Sequence, residues 1–276
     1  MSDSRTWLGV EPTHNPFRWV LPIDLGVCSG YGTLFGGAAL GAAIVALEGT
    51  AGRPVVWATA HYLSFAPEGS VLDIDVVLAA EGNTTTQARA TGHIGGSEII
   101  TVNAALGRRD YPDTYLHPVM PPVRPPEECP LRAATTTPGT ISSRFESRMA
   151  LLQAESAELA ANDAAGLERR PGLIGPGRVG MWIRVPGLTD GSAAALAVLG
   201  DFVPMAISVA LDAPTASNSL DNTIRVLNVQ PTEWFLLDIQ VEGVVTGFGH
   251  GMVRMFTPDG VLLAIGSQSA MVRKRT

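Results

Sequence analysis

The sequence predicts an α+β protein in which one unit, a helix followed by an antiparallel sheet, is written twice. Three observations carry this reading. A small-residue helix pattern followed by β-rich runs occurs once in each half of the chain. A proline-rich stretch separates the halves. Short motifs then recur in the same order on both sides of it.

The first helix pattern covers residues 36–48, GGAALGAAIVALE. Each glycine costs a helix about 1 kcal/mol relative to alanine, so Gly37 and Gly41 point to close packing against that face. At Gly36 and Gly37, close backbone approach to a ligand at the helix start fits equally well. Residues 55–65, 71–78, 84–93 and 98–106 then read as strands, rich in β-branched residues and separated by Pro67-Glu68-Gly69, Gly82-Asn83 and Gly95-Gly96.

In the second half, 144–149 and 179–185 are strand-like, and 193–211 reads as a helix kinked at Pro204. Residues 223–228, 235–241, 246–256 and 261–272 read as strands. Pro67 precedes LDIDV and Pro231 precedes LDIQV, which is the repeat at its clearest. Eight prolines fall between residues 111 and 140; lacking N–H donors and disfavouring helix, they make an extended connector. The division is therefore 1–110, a connector at 111–140, and 141–276 with an insertion near 150–177, which reads as a helix or a loose excursion.

Composition removes several function classes. With 19 Lys and Arg against 26 Asp and Glu, the net charge of −7 argues against nucleic acid as partner. Cys28 and Cys129 are too few for a disulfide framework or a four-thiolate zinc site, and the five histidines show no metal-ligand spacing. GxSxG, P-loop and dinucleotide fingerprints are absent. The N-terminus lacks the apolar core of a signal peptide, and the apolar run 34–47 is too short to span a bilayer. A cytoplasmic protein with no metal or cofactor is the expectation.

Several stretches resemble the type II acyl-CoA thioesterase family. Gly36-Gly37 leading into an apolar helix, VWATAHYLSFAPEGSVLDIDV and TTTQARATGHIGGSEIITVNAALG resemble its first hotdog domain. MPPVRPPEECP is similar to its proline-rich bridge. SLDNTIRVL, TEWFLLDIQVEG and PDGVLLAIGSQSAMVRKR resemble its second hotdog. The resemblance implies a tandem double hotdog, each half an antiparallel sheet wrapped around a long central helix. It implies acyl-CoA as substrate and hydrolysis to free acid and CoA, with an Asp, a Gln and a Ser or Thr around one water.

Carried onto this chain, that set becomes Asp221 as general base, Gln268 as its partner on the last strand, and Thr246 as the hydroxyl. His61 is a candidate donor to the thioester oxygen. Leu34, Phe35, Phe65 and Phe202 are candidate walls of an acyl slot. A helix start near Gly36-Gly37 or Asp201-Phe202 would polarise the carbonyl. The first-half counterpart of Gln268 falls near Asn103 or Ala104, so one working site per chain, or an unequal pair, is expected.

Two competitors remain. A non-catalytic acyl-ligand binder would keep the fold and lose turnover. An enoyl-CoA hydratase would need an Asp with a His five residues on, whereas Asp221 is followed there by Val226 and Asp24 by Ser29. Further association into a homodimer or larger homo-oligomer through sheet edges is left open.

Overall fold

A computed structural model describes residues 3–132, 137–150, 177–211, 213 and 215–274. The expected insertion near 150–177 falls almost wholly outside the described residues.

The first half contains α1 (Ser4–Leu8), β1 (Glu11–Pro12), β2 (Arg18–Pro22), α2 (Gly36–Ala51), β3 (Val55–Tyr62), β4 (Val71–Glu81), β5 (Thr85–Ile94) and β6 (Ser97–Gly107). The second contains β7 (Glu146–Met149), β8 (Arg178–Arg184), α3 (Ala193–Leu199), α4 (Val203–Ala210), β9 (Thr215–Val226), β10 (Phe235–Val245), β11 (Phe248–Phe256) and β12 (Leu262–Lys274). The strands form one antiparallel sheet in the order β1-β2-β4-β5-β6-β3-β9-β12-β11-β10-β8-β7.

The repeat is visible in the strand register. β3 and β9 pair at the middle of the sheet, and Thr59 sits opposite Thr223, their hydroxyls 3.0 Å apart and 164 positions apart in sequence. The same offset relates the pair Ala58–Ala104 to the pair Asn222–Gln268. The first-half counterpart of Gln268 is thus Ala104, whose methyl can make no polar contact. The two strand pairs match in register but not in the chemistry of this position.

α2 is buried from Gly37 to Leu47, and packs on the first-half strands and on α3. A Cβ on Gly37 would stand 2.8 Å from the Val198 carbonyl oxygen, and one on Gly41 3.0 Å from that of Ala194. The glycines let the two helix backbones touch. The stretch Ala193–Ala210 is long and apolar enough to cross a membrane by length and composition, but 72% of it is buried within the fold. That burial accounts for its apolar character.

Three boundaries differ from expectation for physical reasons. The second-half helix is not one kinked helix but two, broken at Gly200-Asp201-Phe202. Pro204 stands in the first turn of α4, where its missing N–H is not needed. β9 begins eight residues earlier than the apolar pattern indicates, because the polar run TASNSLDN is held by backbone pairing to β12. β10 and β11 are joined by a tight turn at Thr246-Gly247, both with positive φ (51° and 82°), so Thr246 belongs to a hairpin tip and not to a strand.

Candidate functional site

A cavity of about 450 Å³ opens between α2, the break between α3 and α4, and the first part of β9. Leu34, Phe35, Phe65, Ile100, Phe202 and Met205 give it apolar walls, and Gly36 lies at its edge. Phe35, Phe145 and Phe202 stack edge-on or tilted, with centroids 5.6–6.5 Å apart, and fix one side.

Asp201 is the acid of this wall. The helix break places it at the N-terminal turn of α2, where its Oδ2 accepts the backbone N–H of Gly37 at 2.7 Å. Glycine allows this approach, since a Cβ here would meet the Asp201 Cβ at 2.9 Å. Asp201 Oδ1 accepts from Gln268 Nε2. The same Gln268 nitrogen donates to Ser219 Oγ at 2.8 Å. Burial pushes the Asp201 carboxyl up to about 6, while the Gln268 and Gly37 donors pull it down part of the way.

Ser219 reaches this group through a β-bulge. Asn222 lies opposite Gln268 and Ser219 opposite Ala270, leaving Leu220 unmatched. Gln268 and Ala270 share a face, so Ser219 and Asn222 do too, although they are three positions apart. Without the extra residue, strand alternation would turn Ser219 away. Ser217 also lines the cavity. Among the described residues, Gln268 Oε1, Asn222 Nδ2 and Ser217 Oγ are buried without a hydrogen-bond partner.

Tyr62 closes the floor. Its hydroxyl donates to the Gly36 carbonyl at 3.0 Å. Burial and then the Asp201 charge hold its pKa well above the ordinary value, so it stays protonated.

The residues expected from sequence divide clearly. Gln268, Gly36, Gly37, Leu34, Phe35, Phe65 and Phe202 lie in or against the cavity. Asp221 does not join Gln268. It pairs with Ser269 and therefore faces the opposite side of the sheet, where its Oδ1 accepts the Ser269 N–H at 2.9 Å. Thr246 is exposed at its hairpin tip, its hydroxyl donating to the Val245 carbonyl at 2.8 Å. His61 is exposed, because the alternation of β3 turns Ala60 and Tyr62 inward and His61 out.

The carboxylate and hydroxyl that meet Gln268 are Asp201 and Ser219. Both had a signal in the sequence. Asp201 is the one acid within the apolar run 193–211, and Ser219 stands two residues before the Asp that drew attention instead.

Comparisons with known proteins show the family and the fold. Residues 126–272 match the family model described as the acyl-CoA thioesterase C-terminal domain. A crystal structure described as a thioesterase from Novosphingobium aromaticivorans DSM 12444 is 30% identical, covers 95% of this chain and 97% of its own, and superposes with a TM-score of 0.81. A protein from Alicyclobacillus acidocaldarius, titled as having a hot dog fold, is 17% identical with a TM-score of 0.81, covering 99% and 98% of the two chains. The acyl-CoA thioesterase II TesB2 of Mycobacterium marinum is 17% identical with a TM-score of 0.74, covering 99% of each chain. A search of curated protein sequences finds no match.

Proposed function

The chain belongs to the acyl-CoA thioesterase family, and from that premise we propose that it hydrolyses acyl-CoA by a water that Asp201 activates. Thioester hydrolysis follows from the family. The assignment of the water to Asp201, Gln268 and Ser219 is our reading. One observation carries it: a buried carboxylate, a carboxamide and a hydroxyl from three separate elements converge at the wall of one apolar cavity. In this reading the halves are tandem hotdogs, supported by the shared 164-residue offset of their strand pairs.

The chemistry follows from the groups present. With its carboxyl at about 6, Asp201 is mostly ionised at neutral pH and more basic than a solvated carboxylate. It accepts a proton from water. The unpartnered Gln268 Oε1 and the Ser219 hydroxyl are free to orient that water. The water oxygen attacks the thioester carbonyl carbon while the acyl chain occupies the apolar slot. Asp201 already holds the Gly37 N–H, so the Gly36 N–H at the edge of the cavity, which the helix cannot pair internally, is assigned to the developing oxyanion. Collapse breaks the C–S bond, and the CoA thiolate recovers the proton from Asp201. General-base assistance of this kind contributes about 10²–10⁴ in rate.

The test is release of free CoA from acyl-CoAs of graded chain length, followed with a thiol-reactive dye. Release that saturates with substrate and disappears in Asp201→Asn supports the reading. Tight acyl-CoA binding without release would instead identify a binder.

A further inference from the structure

The cavity has one acid and, among the described residues that line it, one base: Arg132. The base comes from the connector between the halves. Its backbone is pinned to β7, the Arg132 N–H donating to the Ser147 carbonyl at 2.8 Å while Leu131 bridges to Arg148. The connector is thereby part of the cavity wall.

The side chain is half-buried, and no hydrogen bond or ion pair holds its guanidinium among the described residues. Other half-buried arginines have their guanidinium held: Arg144 stacks over the Trp7 ring at 3.7 Å and donates to the Gly26 carbonyl. Arg148 and Arg184 both pair with Glu146. At Arg132 burial lowers the pKa, and among the described residues no carboxylate pairs with it. The Asp201 oxygens are taken by the Gly37 N–H and the Gln268 amide and not by Arg132, so the two charges mark separate stations on the wall. Burying a cation without a counter-charge is costly, and the cost is recovered when an anion arrives.

We infer that Arg132 is a binding subsite for an anionic group of the thioester substrate, held away from the reacting carbonyl. The guanidinium presents paired N–H donors suited to the two oxygens of a carboxylate or phosphate. The anion is either a carboxylate carried on the acyl chain or a phosphate of the CoA carrier. This inference rests on the hydrolase reading for the cavity's occupant, but not on turnover.

The test is equilibrium binding in an Asp201→Asn background, comparing Arg132 with Arg132→Met and Arg132→Lys. Four ligands are titrated: dodecanoyl-CoA, ω-carboxydodecanoyl-CoA, and the N-acetylcysteamine thioesters of the same two acyl groups. If the anion is the acyl carboxylate, Arg132→Met weakens both ω-carboxy ligands relative to their neutral partners by tenfold or more, and lysine restores part of the loss. If it is a phosphate, both CoA ligands weaken relative to both short thioesters. Equal effects on all four ligands, or no effect on any, would overturn the inference. Wild-type protein that binds selectively through Arg132 yet hydrolyses nothing would overturn the hydrolase reading and leave this subsite standing.

Discussion

Gln268 donates through one amide nitrogen to the Asp201 carboxylate, 67 residues earlier in the chain, and to Ser219, 49 residues earlier. No local motif could place these groups together. A helix break supplies the first, a β-bulge the second, and the pairing of β9 with β12 brings both to the glutamine. Its remaining oxygen has no partner among the described residues.

The activity should depend on pH through this carboxyl. Asp201 must be ionised to accept a proton, and burial places it at about 6. We expect kcat/KM to fall about tenfold per pH unit below that value and to level off above it. A profile flat from pH 5 to 8 would remove the buried carboxyl from the mechanism.

Removing the amide should move that profile. The Gln268 hydrogen bond pulls the Asp201 carboxyl down against burial. In Gln268→Ala the acidic limb should therefore shift to higher pH, with kcat at the plateau lowered by about 10–100-fold through loss of the positioning donor. A lowered plateau with an unmoved limb would separate the amide from the carboxyl.

Gly37→Ala should cost stability. The added methyl would approach the Val198 and Ala197 carbonyl oxygens at 2.8 and 2.9 Å, where backbone cannot yield cheaply. A destabilisation of about 1–3 kcal/mol is expected from such overpacking, read as a lower midpoint in urea.

The charge on Asp201 should work against the fold. Its folded pKa of about 6 lies above the ordinary 3.8, so the native state binds this proton more tightly than the unfolded chain. The stabilising contribution is complete below about pH 4 and is lost as pH rises through about 6. Asp201→Asn should therefore raise stability at pH 7, by at most about 3 kcal/mol, and should remove that part of the pH dependence. Urea midpoints at pH 4 and pH 7 measure both effects.

Much of the fold is legible in the sequence because it rests on local signals. The strands β3 to β6 alternate, and turn residues separate them. The glycines of α2 announce its contact with α3. The site is less legible because two irregularities build it. An Asp before an apolar strand run attracts attention, but the bulge at Leu220 assigns the inward face to Ser219 and Asn222 and leaves Asp221 outside. Asp201 reads as a helix boundary until the structure shows its carboxylate meeting a glycine N–H from the other half. Thr246 reads as a strand residue because the two-residue turn that contains it has no Asn or Pro to mark it.

The most direct measurement compares steady-state hydrolysis of one acyl-CoA by Asp201→Asn and Asp221→Asn, each checked for folding by its urea midpoint. The account predicts a loss of about 10³-fold or more for Asp201→Asn, as expected for a missing general base, and a rate within about twofold of wild type for Asp221→Asn. A full rate in the first variant, or the large loss in the second, would contradict it.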